Sequence, residues 1–128
     1  MKDVLIRPAA RGEMPAIRRL IGQYPNLLMQ SGLPRLASYF VAEHKGEIVG
    51  CCALQVYSRR LAEVRSLAVE AEFVRHGVGK RLVEACQRRA EERGIKQVMV
   101  VTSSPEFFEK NGFSTFKRER IALFYDVH

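Results

Sequence analysis

Tryptophan is absent from the 128 residues, cysteine occurs three times, and no apolar run approaches the ~18 to 20 residues that a membrane-spanning helix needs. The first residues, Met1-Lys2-Asp3-Val4-Leu5-Ile6-Arg7-Pro8, hold too short an apolar stretch for a secretory signal, so a cytoplasmic protein is expected. No C-x-x-C pair occurs, and the three dispersed cysteines and three dispersed histidines show no metal-ligand spacing, so no metal is expected. Cys51 and Cys52 are adjacent in an apolar stretch that reads as a strand, where successive side chains point to opposite faces, and Cys86 lies on an apolar helix stripe; all three read as buried small hydrophobes. Runs of like charge are missing too. Lys and Arg number 21 against 14 Asp and Glu, a formal charge of +7, yet no basic run exceeds two residues. Such an excess suits a polyanionic ligand, whether nucleic acid, an anionic surface or a phosphate-rich cofactor, but it is not a basic tail.

What is present is the balance of one soluble domain: 47% hydrophobic and 27% charged residues, with no repeat and no low-complexity linker. Residues 4–6 form a short apolar strand ending at Pro8. Met14, Ile17, Leu20, Ile21 and Tyr24 then recur at helical spacing, with Pro15 in the first turn, where its missing N–H costs little. This helix is expected to end near Tyr24-Pro25. The segment 26–38 is interrupted by Gly32 and Pro34 and stays unassigned between helix and loop. Strands are predicted over 39–43 and 47–57, joined at Lys45-Gly46 as a hairpin, and a further strand over 61–69. From 77 to 93 the period becomes helical, with Val78, Leu82, Ala85, Cys86 and Ala90 on one face and Gly94 just past the end. Residues 98–101 are wholly apolar, as in an interior strand, and 105–110 suit a short helix stopped by Asn111-Gly112. A last strand is expected from Phe113, with an apolar close at 121–125. The strand–helix–strand unit over 61–101 predicts a right-handed parallel crossover within a mixed α/β (α+β) sheet that carries helices on its faces.

The most informative stretch is Ala62-Glu63-Val64-Arg65-Ser66-Leu67-Ala68-Val69, followed by Phe73-Val74-Arg75-His76-Gly77-Val78-Gly79-Lys80-Arg81-Leu82. Here a strand runs through a short loop into the start of a long helix. The first N–H groups of a helix have no intrahelical acceptor and carry the positive end of its dipole, so an anion placed there gains several bonds at once. Gly77 and Gly79 let a ligand approach the backbone closely. A Walker loop is excluded, because it needs Gly at 74 and Ser or Thr at 81. A dinucleotide fingerprint is excluded as well, because Leu82 stands where its third glycine belongs.

The run Leu67-Ala68-Val69, the seven residues to Gly77-x-Gly79, and Pro105-Glu106-Phe107-Phe108-Glu109-Lys110-Asn111-Gly112-Phe113 together resemble the GNAT N-acetyltransferase superfamily, in the family's order over nearly the whole chain. The resemblance implies a mixed, mostly antiparallel sheet with a parallel crossover from the fourth to the fifth strand and helices on both faces. It implies acetyl-CoA as cosubstrate, with the backbone of Leu67, Ala68 and Val69 pairing with the pantetheine arm and the loop of Arg75, His76, Gly77, Val78, Gly79 and Lys80 cradling the pyrophosphate. Val74 stands where the family's loop usually has Gln or Arg, so that side chain is missing, and Arg75 is the neighbour able to compensate. Within the superfamily, the segments 62–69 and 104–109 are similar to the acetyltransferase domain of N-acetylglutamate synthases, which would make glutamate the acceptor; 128 residues would leave no room for the amino-acid-sensing domain such synthases often carry.

Transfer to an amine needs a base and a polarised thioester carbonyl. Glu63 is the candidate general base and backbone N–H near Leu67 to Val69 the candidate oxyanion donor. Strict alternation would put Glu63, Arg65, Leu67 and Val69 on one face unless a bulge intervenes. Arg65 is the candidate to bind an acceptor carboxylate. The resemblance places the family's usual tyrosine acid at Phe108, which has no proton to give; Ser103, Ser104 and Tyr125 remain open. The acceptor is expected to be a small-molecule amine, with no nucleic-acid or membrane partner, and a homodimer is compatible with the sequence. The alternatives are a protein or peptide N-acetyltransferase, a non-catalytic acetyl-CoA-binding module, and a nucleic-acid binder using the net charge, for which no aromatic-rich basic motif is present.

Overall fold

Lys45 and Gly46 both take positive φ, 50° and 81°. That conformation suits a two-residue turn between twisted antiparallel strands, and it joins β2 (Tyr39–His44) to β3 (Glu47–Val56). The computed structural model describes residues 3–114 and 125–127. Around this hairpin lie β1 (Leu5–Pro8), β4 (Leu61–Val69) and β5 (Gln97–Met99), in the spatial order β1-β2-β3-β4-β5. The first four strands pair antiparallel, while β4 and β5 are parallel and joined through α2 (Val78–Glu92), so the predicted crossover is observed. Two further helices are α1 (Met14–Gly22) and α3 (Pro105–Glu109).

The period-two strands bury both faces. On one face α1 places Ile17, Leu20 and Ile21 against Val41, Cys51 and Ala68. On the other, Val78, Leu82, Val83 and Cys86 of α2 cover Phe40, Cys52, Leu54 and Val64. Cys51 and Cys52 therefore do enter opposite layers, and Cys52 meets Cys86 with 3.7 Å between the two Sγ atoms. Gly50 of β3 fixes how closely α2 approaches. A Cβ there would stand 3.1 Å from Leu82 Cδ1 and 3.2 Å from Ala42 Cβ, so its absence lets the first turns of α2 press onto the sheet. At the sheet's other edge Arg7 of β1 binds Glu13, just ahead of α1, and Glu43 of β2, with ion-pair distances of 2.6 and 2.8 Å.

Three expectations need correction, for the end of the first helix, the run 98–101 and the strand start at Phe113, and the segment left unassigned is now placed. The first helix stops at Gly22 rather than at Tyr24, because Tyr24 leaves the helical register to make the contacts described below. The segment 26–38 holds only a short 3₁₀ turn, Leu36–Ser38. The apolar run 98–101 is not an interior strand throughout: β5 ends at Met99 and Val101 is 77% exposed. Phe113 packs on Phe108 with ring centroids 5.5 Å apart, but Phe113 and Ser114 are in no strand. The expected last strand otherwise falls on residues 115–124, outside the described residues.

Candidate active site

The parallel strands β4 and β5 are paired only at Leu61 with Gln97, Ala62 with Val98 and Glu63 with Met99. Past that point they part, so no described strand covers the β5-facing edge of β4 from Val64 to Val69. A strand edge of this kind presents unpaired N–H and C=O groups ready to pair with an extended ligand. Its direction follows from the β3 register: Glu70 N–H donates to Val49 C=O at 2.8 Å, while Val69 stands opposite Gly50. Hydrogen-bonded and non-bonded positions alternate along an antiparallel pair, so the N–H and C=O of Val69 point away from β3 and into the opening.

A bulge lies in the same stretch. Ala53 pairs with Arg65 and Cys51 with Ala68, which leaves Ser66 and Leu67 together opposite Cys52, and Ser66 takes φ 58°. Two residues against one reverses the face alternation. Glu63 and Arg65 therefore stay on the α1 side, whereas Leu67 and Val69 turn to the α2 side and pack on its core; Ala68 is buried against α1. The four residues that strict alternation would align are thus split into two pairs on opposite faces of the opened strand.

Beyond β4, the chain makes a 3₁₀ turn at Ala71–Phe73 and enters α2 through Arg75, at φ 71°, and Gly77, at φ 79°. Gly77 caps the helix without a side-chain bond, and the first intrahelical bond is Arg81 N–H to Gly77 C=O at 3.1 Å. The N–H groups of Val78, Gly79 and Lys80 thus precede the helical ladder and have no intrahelical acceptor, at the positive end of the helix dipole, an arrangement able to take an anion. Arg75, His76 and Lys80 are exposed around this turn. Val78 and Ala68, both in the predicted cofactor set, have buried side chains and offer only their backbones. Gly79 has the ring of Phe107 3.5 Å from where a Cβ would be, so α3 lies over the start of α2. Val74 is half-exposed and apolar, and contributes no polar group.

The α1-side face of the strand pair carries a row of polar side chains. Tyr57 Oη donates to Glu63 Oε1 at 2.5 Å, and this bond to a carboxylate raises the phenol above its ordinary value of 10.0. Arg65 Nη1 donates to Gln55 Oε1 at 2.8 Å and to Gly32 C=O at 3.2 Å, and its Nη2 lies 3.6 Å from Met29 Sδ. Among the described residues no carboxylate is within ion-pair distance of Arg65. Its charge is held in place by neutral acceptors. Sequence reasoning found Glu63 and Arg65 but missed Tyr57 and Gln55; they face the pair only because β3 is antiparallel to β4 in this register, with Gln55 directly opposite Glu63.

Phe108 is 6% exposed and belongs to the core beneath α2, so the position expected for a proton donor is filled by packing. Ser103 and Ser104 are exposed in the loop ahead of α3, where Ser104 N–H bonds Thr102 Oγ1 at 2.9 Å. Tyr125 is 88% exposed. A cleft of about 370 Å³ between β1 and α2, lined by Arg7, Phe40, Arg81 and Arg88 among others, lies on the far side of α2 from the β4–β5 opening and shares none of these residues.

Residues 35–115 match the family model of the acetyltransferase (GNAT) domain. An uncharacterized N-acetyltransferase of Chlorobaculum tepidum is 35% identical over 91% of this chain and 79% of its own length. The amino-acid acetyltransferase of Mycobacterium tuberculosis is 33% identical over 86% of this chain and 68% of its own. Among solved structures, a Mycobacterium tuberculosis protein in complex with CoA and NLQ superposes with a TM-score of 0.83 at 30% identity, over 92% of this chain and 76% of that one. N-acetylglutamate synthase from Neisseria gonorrhoeae, complexed with coenzyme A and N-acetyl-glutamate, gives 0.79 at 27% identity, over 90% of this chain and 29% of that one. The match over residues 35–115 and the two relatives above 30% identity show that the chain belongs to the GNAT family of N-acetyltransferases.

Proposed function

We propose that this enzyme transfers the acetyl group of acetyl-CoA to the α-amine of a small amino acid, of which glutamate is the first candidate. The observation that carries the reading is the bulge at Ser66 and Leu67, which turns one strand into two surfaces. The free edge at Leu67 and Val69 faces the opening, where a pantetheine arm would add to the sheet. The N–H groups of Val78, Gly79 and Lys80 would take the pyrophosphate, with Arg75 and Lys80 supplying charge. Glu63 and Arg65 face the α1 side, where an acceptor would approach the same strand.

Bound acetyl-CoA supplies an electrophilic thioester carbonyl. The chain's own groups do the rest. The amine nitrogen forms the new C–N bond as the C–S bond breaks; Glu63 takes the amine proton, directly or through one water, and the sulfur keeps the bonding electron pair. Backbone N–H at the bulge polarises the carbonyl. A thiol pKa near ~8.5 means that the sulfur leaves at neutral pH with little need of an acid, which fits a core phenylalanine at position 108. Arg65 holds the acceptor carboxylate in place of its present neutral partners, a bond that strengthens when both groups are charged.

The amino-acid reading is supported by two relatives, an amino-acid acetyltransferase and an N-acetylglutamate synthase, and by an arginine on the acceptor face that has no carboxylate partner among the described residues. Thiol release from acetyl-CoA, measured with L-glutamate, L-glutamine, other amino acids and short peptides, tests it. Release that depends on a free amino acid supports it, and release with peptides alone would replace it with a peptide N-acetyltransferase.

A further inference from the structure

Tyr24 lies just past the end of α1, and its hydroxyl donates to the C=O of Val69 across 45 residues. That carbonyl belongs to the free edge of β4 and points into the β4–β5 opening. The next residue pair repeats the link, with Gln23 Nε2 donating to Glu70 Oε1 at 3.0 Å. The backbone of Tyr24 also anchors the loop that follows. Its C=O accepts the N–H of Leu28 at 3.0 Å and of Leu27 at 3.2 Å, and Gln30 Nε2 bonds Ile21 C=O at 3.0 Å. The same loop ends against Arg65 through Gly32 C=O and Met29 Sδ. Residues 24–32 are thus strung between two fixed points. One is on the strand edge that would take the cosubstrate and the other is on the arginine that would take the acceptor.

We propose that Tyr24 is a positioning residue for the cosubstrate: its hydroxyl holds the Val69 carbonyl, and through it the β4 edge, in the place where the pantetheine arm pairs. The inference rests on the reading of the β4 edge given above. Nothing in the sequence marks this tyrosine, since its partner is a backbone atom at long range. The ring packs partly buried against the α1-side core, so Tyr24→Phe keeps the packing and removes the single oxygen.

The test is calorimetric binding of CoA to wild type, Tyr24→Phe and Gln30→Ala, with steady-state kinetics beside it. The expected result is a CoA dissociation constant and an acetyl-CoA KM that both rise about fivefold in Tyr24→Phe, the size of one ordinary hydrogen bond, with kcat at saturation changed less than twofold. Gln30→Ala loosens the loop without touching Val69; it is expected to raise the acceptor KM and leave CoA binding at the wild-type value. A Tyr24→Phe protein that melts lower but binds CoA as tightly as wild type would reduce Tyr24 to a structural residue and overturn the inference while leaving the site reading intact. Failure of the wild-type chain to bind CoA would overturn the site reading, and this inference with it.

Discussion

Tyr57, the first residue past β3, donates a 2.5 Å hydrogen bond to Glu63 of the neighbouring strand β4. The turn between them fixes this geometry, because Tyr57 N–H and Ser58 N–H both bond Leu61 C=O, at 3.0 and 3.1 Å. The carboxylate of the proposed base is therefore held in one orientation before any acceptor arrives. Glu63→Gln is expected to lower kcat by about a hundredfold or more, the usual size of a general-base contribution, with CoA affinity unchanged. The same variant should return the Tyr57 phenol toward its ordinary value, since the hydrogen bond to Glu63 is the leading cause of its shift. An absorbance titration of tyrosinate checks this independently of turnover, and equal turnover across a pH series would remove Glu63 from the mechanism.

Arg65 is expected to act on the acceptor alone. Arg65→Ala should raise the acceptor KM about tenfold or more, the scale of a hydrogen bond between charged groups, with the acetyl-CoA KM unchanged. Arg65→Lys should recover little, because an ammonium cannot make the paired bonds of a guanidinium. An acceptor KM equal to wild type in Arg65→Ala would assign the residue to the Gln55 and Gly32 contacts only.

Arg75 is a non-glycine residue at φ 71°, a region that costs such residues on the order of 1 to 2 kcal/mol. Substituting glycine relieves that strain but adds unfolded-chain entropy of about 0.5 to 1 kcal/mol. Arg75→Gly should therefore match or exceed the wild-type protein in stability while binding CoA several-fold more weakly, for loss of a cation beside the α2 cradle. Thermal melting and calorimetry check the two halves. A variant that binds CoA fully would show that the backbone donors suffice.

Much of the architecture was legible in the residues because it rests on periodicity and punctuation. Lys45-Gly46 marked the hairpin, Gly94 and Gly112 marked helix ends, and the apolar stripe of α2 was read correctly apart from Val83. The bulge at Ser66 was not legible: a serine at positive φ leaves no compositional trace, and only the register between β3 and β4 reveals it. The length of β5 was overestimated for a related reason. Its apolar run continues past Met99, but pairing stops where β4 and β5 diverge, and divergence is a property of the sheet rather than of either strand. Spacing along the chain shows Tyr24 only as the last residue of an apolar stripe and gives Gln55 and Tyr57 no role, because their partners are fixed by strand pairing and by the loop after α1.

Stability should respond to pH through three identified groups. The bond to Arg7 holds the Glu13 carboxyl below its ordinary 4.5, so its contribution is present above that value and is lost as pH falls through the lower folded value. Glu13→Gln should flatten the acid limb of a denaturation-against-pH curve. Burial pushes the Tyr39 phenol from 10.0 up to about 12, so the folded state retains that proton longer than the unfolded chain does. The Tyr39 contribution should be complete below pH 10 and decline between 10 and about 12. Burial pushes the Cys51 thiol from 9.0 up to about 12 as well, so Tyr39→Phe should shrink the alkaline limb without abolishing it. Chemical denaturation at stepped pH checks both, and an acid limb unaltered by Glu13→Gln would disconnect that pair from stability.

The most direct test of acetyl transfer to an amino acid is the identity of the product. The purified protein, incubated with acetyl-CoA carrying a ¹³C-labelled acetyl group and with L-glutamate, is expected to yield N-acetylglutamate bearing the label, in step with free CoA, and to lose both in Glu63→Gln. Labelled acetate appearing with free CoA while the amino acid stays unmodified, or label on no amino acid of the panel, would contradict it.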